Sequence, residues 1–309
     1  MKKVSIVTPC YNEEANVGPL CARVKELFLK LGSYDYEHIF IDNASADGTQ
    51  DALRRLAAAD KKVKVILNTR NFGHIRSPYH AFSQISGDVF IPLAADFQDP
   101  PELIAELLRK WEEGCQVVLA VKTNSGESWL MFAVRKLYYD LIGKLAEVNI
   151  VKNNTGFGLY DKRVMEELRK LDEPYPFFRG LVAELGLKTA RVEYFQPGRK
   201  RGLTKNNFYV LYDMGMLGII NHSKVPLRLA VFAGFLLAGL NLAVALGYLA
   251  YKLLYWNSFS VGIAPVVIGL FFFSSVQLIF LGVIGEYIGA IYTQTLKRPL
   301  VIEKERINF

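Results

Sequence analysis

The sequence predicts an α/β globular head followed by two membrane-spanning helices, and two patterns lead to this fold class. Short β-rich runs alternate with helical patterns through the first half of the chain, which is typical of a mainly parallel sheet covered by helices. Residues 229–251 and 253–285 contain no charged side chain. Each of these runs exceeds the ~20 residues that cross the hydrocarbon core of a bilayer. The part of the chain before them has the composition of a soluble domain.

The predicted strands and helices follow one another in β-α order. Apolar runs predict strands at residues 4–8, 38–42, 63–67, 88–93 and 117–121. Apolar residues at helical spacing predict helices at 17–31, 49–59 and 101–113, the last with prolines at its start, where they are tolerated. Ligands bind at the carboxyl ends of the strands in such a sheet, so we expect the functional site there.

Charge and cysteine usage exclude several classes of protein. The formal net charge is +7, with the basic residues crowded at the membrane end and only Lys252 between the two apolar runs. The positive-inside rule therefore predicts that the head and both termini are cytoplasmic. The strand-like start of the chain agrees, because it does not resemble a signal peptide. No nucleic-acid motif accompanies the charge, and the three cysteines and four histidines lack metal-ligand spacing. We therefore expect no nucleic-acid partner, zinc site or disulfide framework.

Two acidic loops indicate the chemistry of the site. The loop after the first strand lacks both the glycine pattern of dinucleotide-binding enzymes and the P-loop pattern. Acidic and polar residues instead follow the second strand, at 42–49, and the fourth strand, at 96–100. Carboxylates at strand ends suit a divalent cation that carries a diphosphate. The alternative is that these residues only form turns, which Asp, Asn and Gly favour for local reasons.

Four segments of the chain carry a resemblance to a known family. Residues 6–14 read IVTPCYNEE, residues 41–49 read IDNASADGT and residues 95–102 read ADFQDPPE. These resemble the three signatures of family-2 glycosyltransferases with the GT-A fold. Residues 199–205, RKRGLTK, and the two-span hairpin are similar to polyprenyl-phosphate glycosyltransferases, the bacterial relatives of dolichyl-phosphate mannose synthase. The resemblance implies a GT-A nucleotide-sugar-binding domain over residues 1–205, an interfacial helix over 206–224, a transmembrane hairpin over 225–296 and a cytoplasmic tail over 297–309.

The resemblance also implies roles for individual residues. It assigns the nucleoside pocket of the donor to Pro9, Tyr11, Glu13 and Asp42. It assigns a bound Mg²⁺ or Mn²⁺ to Asp96 and Gln98, and the phosphate contacts to Arg199, Lys205 and Arg135, which together with Asp96 form the implied catalytic set. Metal and guanidinium groups would neutralise the charge that develops on the departing diphosphate. For Arg135 the alternative is a surface role, and for residues 199–205 a solvated loop or a basic collar without catalytic duty.

The activity that follows from the resemblance is the transfer of one sugar from a UDP- or GDP-linked donor to undecaprenyl phosphate or another polyprenyl phosphate. The reaction would be metal-dependent and inverting, at the cytoplasmic face of a bacterial inner membrane, and would supply a later modification of lipopolysaccharide, O-antigen or another glycan. Membrane lipid is an implied partner. Self-association of the hairpin through Gly234, Gly239 and Gly247 is a further expectation.

Departures from the family pattern keep one alternative open. The first acid of the usual D-x-D motif is replaced by Ala94, and Gly156 and Gly158 stand where an acid and an arginine are common. We therefore assign no general base, since a lipid phosphate is already anionic near neutral pH. The alternative is a catalytically silent, membrane-anchored scaffold that binds nucleotide sugar. A processive polysaccharide synthase is disfavoured because the chain lacks the Q-x-x-R-W motif.

Overall fold

A computed structural model describes residues 1–123, 151, 153–171, 173–196, 216, 220, 223–255 and 263–309. Three predicted site residues, Arg135, Arg199 and Lys205, lie outside the described residues. So does most of the predicted interfacial helix at 206–224.

The head is built on one eight-stranded sheet, which confirms the predicted α/β class. The strands are β1 (Lys2–Cys10), β2 (Tyr34–Asp42), β3 (Val63–Asn68), β4 (Val89–Pro92), β5 (Val117–Lys122), β6 (Asn154–Asp161), β7 (Thr189–Tyr194) and β8 (Glu303–Ile307). Their order across the sheet is β7-β5-β6-β4-β1-β2-β3-β8. The pairs β1–β2, β1–β4, β2–β3 and β5–β7 are parallel. The strands β6 and β8 run antiparallel to their neighbours, so the sheet is mixed at both sides and parallel at its centre.

In the described part of the head, six helices connect and cover these strands: α1 (Glu14–Leu31), α2 (Thr49–Ala59), α3 (Gly73–Phe82), α4 (Ile104–Glu112), α5 (Lys162–Lys170) and α6 (Phe178–Glu184). A short 3-10 turn at Pro101–Leu103 leads into α4. Helix α1 buries Val17, Leu20, Val24 and Phe28, the three- and four-residue spacing of one helix face. The sequence patterns did not predict α3, which carries Pro78 inside it.

Both faces of the central strands are buried, because helices cover the sheet on each side. Ile6, Phe40 and Ile91 pack into one apolar cluster, whereas Val7, Ile39 and Phe90 pack into the other. Neighbouring residues along each strand thus point to opposite faces. This explains why the strands read as unbroken apolar runs rather than as alternating patterns.

Two long helices follow the head: α7 (Val225–Leu254) and α8 (Ile263–Thr295). Both are long and apolar enough to cross a membrane, and their side chains are not buried inside the protein. The two helices approach each other at Gly234, where a Cβ atom would lie 3.8 Å from the Phe280 ring. These helices correspond to the predicted hairpin.

The segment after α8 returns to the head and forms the edge strand of the sheet. Strand β8 pairs antiparallel with β3, and Glu303 and Glu305 contact His80 and Arg54 of the helices beside it at 2.6 and 2.8 Å. The side-chain amide of Asn308 donates to two backbone carbonyl oxygens, at 2.7 and 2.9 Å. Within the predicted tail, 297–309, residues Glu303–Ile307 thus form the strand beside the outer edge of β3.

Candidate active site

The candidate site lies where β1, β2 and β4 end. The register places Cys10 opposite Asp42 and Val7 opposite Pro92, so the loops that follow these strands meet at one edge of the sheet. Five of the predicted site residues, Pro9, Tyr11, Glu13, Asp42 and Asp96, are brought together here, and Gln98 lies in the same loop as Asp96. This is the edge at which the sequence predicts the ligand site.

Reciprocal hydrogen bonds join the first two loops. The Asn12 amide donates to Ser45 Oγ at 2.8 Å, and the Ala46 amide donates to Asn12 Oδ1 at 2.8 Å. A second pair follows, from the Glu13 amide to Thr49 Oγ1 at 2.9 Å and from the Gly48 amide to the Glu14 side chain at 3.1 Å. These contacts cross between the loops in both directions, so the two loops form one unit.

Asp42 shapes the second loop from within. Its side chain is fully buried. One carboxylate oxygen accepts from the Ser45 amide at 3.0 Å and from Gln50 Nε2 at 2.9 Å, and the other accepts from Ser45 Oγ. Glu13 is likewise engaged, since it accepts from Asn16 Nδ2 at 2.6 Å. The contact of these two carboxylates with a nucleoside stays a prediction.

Asn43 connects the loop after β2 to the loop after β3, a role that no pattern in the sequence indicates. Its Nδ2 donates to Asn71 Oδ1 at 2.8 Å and to the Gly73 carbonyl at 3.1 Å. Its Oδ1 accepts from the Phe72 amide at 2.9 Å and from Asn68 Nδ2 at 3.2 Å. The one feature of the sequence that points to Asn43 is its position directly after a buried strand. The partner loop could not be identified from spacing alone.

The loops after β1, β2 and β4, which we number first to third, each contain one non-glycine residue with a left-handed backbone. These are Asn12, Ala44 and Phe97, with φ of 58°, 59° and 60°. This conformation costs an L-residue about 1–2 kcal/mol and persists only where surrounding contacts impose it. Three such residues at one edge of the sheet indicate that surrounding contacts hold these loops in a fixed geometry.

The third loop carries two buried carboxylates. Asp96 is 8% exposed, and its Oδ1 accepts from the Gln98 amide at 3.1 Å. Asp99 is 7% exposed, and its Oδ1 accepts from the Tyr194 hydroxyl at 2.9 Å. Burial raises the pKa of Asp99 to about 6, against the hydrogen bond from Tyr194 and with help from the negative charge of Asp96. Tyr194 lies on β7, and no sequence pattern connected it to this loop.

The edge as a whole is acidic. The pKa of the Cys10 thiol is raised by burial and, beyond that, by the negative charges of Asp42, Glu13 and Asp47. Carboxylates repel a diphosphate, so a cation between them would favour the binding of a diphosphate at this edge. The oxygens of Asp96 and Gln98 are of the hard type that Mg²⁺ and Mn²⁺ accept.

The metal-ligand set on the chain is small. Over the ranges that the structure describes, no group of three or more His, Cys, Asp or Glu side chains is placed to hold a metal ion. Magnesium in nucleotide sites is commonly held by one or two carboxylates together with substrate phosphates. The loop with Asp96 and Gln98 fits that kind of shared site and not a dedicated metal cage.

Comparison with known proteins gives the family. The sequence profile of Glycosyl transferase family 2 matches residues 5–169, more than half of the chain. The protein belongs to this family. It is a glycosyltransferase whose head has the GT-A fold and whose two apolar helices are candidate membrane spans.

Several relatives of this glycosyltransferase are similar over nearly their whole length. An uncharacterized glycosyltransferase, YkcC of Bacillus subtilis, is 36% identical over 96% of this chain and 92% of its own. The bactoprenol glucosyl transferase of Shigella phage SfX is 32% identical over 98% of this chain and 99% of its own. A prophage bactoprenol glucosyl transferase homolog of Escherichia coli K12 is 32% identical, with 98% of each chain covered. Among solved structures, the glucosyl-3-phosphoglycerate synthase of Mycobacterium tuberculosis is 18% identical, covers 71% of this chain and 76% of its own, and has a TM-score of 0.49.

Backbone geometry accounts for the two glycines where this glycosyltransferase departs from the family pattern. Gly156 has φ of +99°, a conformation that side-chain-bearing residues rarely adopt. At Gly158 an added Cβ would lie 2.5 Å from the Val118 carbonyl oxygen, because β5 passes directly beside it. This backbone therefore accommodates neither an acid at the first position nor an arginine at the second without a shift of the strand.

Proposed function

We propose that this glycosyltransferase transfers a single sugar from a nucleotide sugar to a polyprenyl phosphate at the cytoplasmic face of a bacterial inner membrane. The observation that carries the proposal is the similarity to bactoprenol glucosyl transferases over 98% of the chain. That similarity includes the two apolar helices as well as the head. An acceptor that is anchored in the bilayer agrees with an enzyme whose head is attached to a membrane hairpin.

In this proposal the first two loops hold the nucleoside of the donor, which is UDP- or GDP-linked. One wall of the nucleoside pocket consists of Pro9, Tyr11 and Glu13. The other wall is the loop after β2, which the buried Asp42 holds in place through its hydrogen bonds. Tyr11, at 36% exposed, presents an aromatic ring at the rim of the loop, where a base could stack on it. The hydrogen bonds between the loops keep both walls in place before the donor arrives, which lowers the entropic cost of binding.

Asp96 and Gln98 hold Mg²⁺ or Mn²⁺ together with the diphosphate of the donor. When bound, the cation supplies the positive charge that the departing nucleoside diphosphate needs. Asp96 is buried in the loop after β4, and its carboxylate accepts a hydrogen bond from the Gln98 amide, so its side chain is held in place. With Ala94 in place of the first acid, Asp96 is the one carboxylate that we assign to the metal.

The acceptor phosphate is proposed to contact Arg199, Lys205 and Arg135. An anionic oxygen of the lipid phosphate forms the new bond to the anomeric carbon, and the bond from that carbon to the donor diphosphate breaks. The nucleoside diphosphate leaves with the bonding electron pair, so no proton has to be removed and no general base is needed. A single displacement of this kind inverts the configuration of the sugar.

In this proposal the head and both termini face the cytoplasm, which the edge strand and the charge pattern support. Strand β8 comes after both apolar helices and pairs with β3 of the head, which supports placing the head and the segment after α8 on the same side of the bilayer. Basic residues flank the hairpin on that side, which favours the cytoplasm. Self-association through the glycines of α7 remains part of the proposal.

The test is sugar transfer by the detergent-purified, full-length protein. Labelled nucleotide sugars are offered with undecaprenyl phosphate and Mg²⁺ or Mn²⁺, with EDTA as a control. We expect a labelled lipid product with one donor. Asp96→Asn is expected to lower the rate by about 10²–10³-fold, the usual effect of losing a group that stabilises transition-state charge. Asp35→Asn is the matched control, because Asp35 lies near the start of β2, at the end of the strand away from Asp42, and forms an exposed ion pair with Lys62.

The same assay separates the enzyme from the scaffold alternative. A lipid product that is lost with EDTA and with Asp96→Asn, but not with Asp35→Asn, supports the proposal. Nucleotide binding without any product, across all donors and both metals, contradicts it and supports a scaffold. A product whose anomeric configuration matches that of the donor would contradict the single displacement.

A further inference from the structure

A basic cavity lies where α8 ends and the chain returns to the head. Its volume is about 540 Å³, and it is formed between α3, α5 and the segment that follows α8. Three cationic side chains, Arg169, Lys297 and Arg298, line it. One carboxylate, that of Glu173, also lines the cavity and accepts from Gln294 Nε2 at 3.4 Å.

Two further arginines adjoin this cavity from the head. The Arg76 guanidinium donates to the carbonyl oxygen of Pro299, the residue next to Arg298. The guanidinium carbons of Arg70 and Arg76 lie 4.0 and 5.9 Å from the centre of the Phe72 ring. The basic junction, as we name this group, consists of Arg70, Arg76, Arg169, Lys297 and Arg298.

The charge of the basic junction is not balanced by the part of the chain that the structure describes. None of its five cations forms an ion pair with a carboxylate there. The Nε atom of Arg76 is buried without a hydrogen-bond acceptor. Burial lowers the pKa of Arg76, and the positive charges of Arg70 and Arg298 lower it further. Cations held together in this way are stabilised when an anion binds among them.

We propose that the basic junction binds the phosphate of an anionic phospholipid headgroup. Lys297 and Arg298 come two and three residues after the end of α8 at Thr295, which would place them where a span leaves the bilayer and headgroup phosphates are found. Guanidinium groups match phosphate oxygens in charge and in fork geometry. The lipid would hold the segment at Pro299 against the loop after β3.

This site is separate from the reaction that we propose above. Asp96 follows β4 and Arg70 follows β3, and these strands are three places apart in the sheet. At the usual spacing between strands, their ends are about 14 Å apart. The acceptor phosphate has to reach the sugar beside Asp96, and Arg70 of the basic junction lies too far from Asp96 to contact it there. The inference therefore does not depend on the proposed function.

The test is a lipid titration of the full-length protein in a neutral detergent, without donor or acceptor. Thermal unfolding is followed as short-chain phosphatidylglycerol or phosphatidylcholine is added, because a ligand of the folded state raises the unfolding temperature according to its affinity. Inorganic phosphate and UDP are added in separate titrations. Arg298→Gln is compared with Lys304→Gln, which removes the same charge from an exposed position in β8 of the same segment. Arg298→Lys keeps the positive charge but removes the forked guanidinium group.

We expect phosphatidylglycerol, and not phosphatidylcholine, to stabilise the wild-type protein. Arg298→Gln should weaken the apparent affinity about fivefold, the typical effect of one cation near anionic lipid. The apparent affinity of Arg298→Lys should lie between those of the wild type and Arg298→Gln, and that of Lys304→Gln should match the wild type. Equal titrations of Arg298→Gln and Lys304→Gln would overturn the proposal. Stabilisation by inorganic phosphate or UDP that depends on Arg298 would also overturn it, since the site would then belong to a soluble phosphate compound.

Discussion

Replacement of Glu37 by glutamine is expected to destabilise the head strongly, although Glu37 lies far from the active site. Glu37 is on β2 with its side chain 2% exposed. It accepts from Ser5 Oγ at 2.5 Å, from the Ser86 amide at 2.8 Å and from Ser86 Oγ at 2.7 Å. It also pairs with Lys64 at 2.8 Å and with Lys3 at 3.0 Å. One buried carboxylate thus joins β1, β2, β3 and the turn before β4.

The expected loss of stability in Glu37→Gln follows from the pKa of Glu37. Burial by itself raises this pKa, but the hydrogen bonds from Lys64, Ser5 and Ser86 outweigh burial and lower it from 4.5 to about 2. At 1.36 kcal/mol for each pKa unit, the ionised form contributes about 3 kcal/mol to stability. The folded-state pKa is below the unfolded-state value, so this contribution is present above pH 4.5. It is lost as the pH falls toward 2.

The assay is denaturant unfolding of the full-length protein in detergent at several pH values. Glu37→Gln should lower the free energy of unfolding by about 3 kcal/mol at pH 7, and the difference from the wild type should shrink below pH 4.5. Glu26→Gln is the control, since Glu26 forms an exposed pair with Lys30 and should leave the free energy of unfolding nearly unchanged. A loss below 1 kcal/mol at pH 7 for Glu37→Gln, by the same per-unit conversion, would refute the reasoning.

Three further predictions concern single positions. Asp99→Asn should raise the free energy of unfolding by about 1–3 kcal/mol at pH 7 and by less at pH 5. The reason is that the folded-state pKa of Asp99, about 6, lies above the ordinary value of 3.8. The cost of ionising Asp99 in the folded protein therefore grows as the pH rises between these two values. Denaturant unfolding at both pH values measures this, and a destabilised variant at pH 7 would contradict it. Gly158→Ala should cost about 1–3 kcal/mol in the same assay because its Cβ meets a carbonyl oxygen at 2.5 Å, whereas Gly18→Ala, with nothing within 4 Å, should not destabilise. Asn308→Gly should speed hydrogen exchange of the β8 amides, because it removes two side-chain hydrogen bonds. Asn308→Ala should speed the exchange about fivefold more, since φ of residue 308 is +64° and this conformation costs alanine about 1 kcal/mol. Equal exchange in the two variants would exclude the backbone contribution.

The parts of the fold that the sequence predicts are those whose signal is local. The apolar runs of β1 to β5 stand out because both faces of these strands are buried, and α2 begins and ends at the predicted residues. The same locality made the active-site edge predictable. Asp42 and Asp96 each follow a recognisable strand, and parallel strands end at a common edge.

The elements that were not predicted depend on distant partners. Strand β8 reads EKERI, four charged residues in five, and becomes a strand only because β3 offers it an edge from more than 200 positions earlier. Tyr194 reaches Asp99 across 95 positions, and no spacing rule links them. Helix α3 contains a proline that ordinarily argues against a helix. Tertiary contacts decide each of these cases.

The edge strand also determines when the head can finish folding. Strand β3 is made early in synthesis, but its partner follows both spans, so the outer edge of β3 stays unpaired while the hairpin enters the bilayer. An unpaired edge is open to aggregation and to proteolysis. Only a chain whose second span has brought residues 303–307 back to the side of the head can close it. In the orientation that we propose, pairing of β8 therefore depends on the number of crossings: a chain with one crossing more or fewer would leave the outer edge of β3 unpaired.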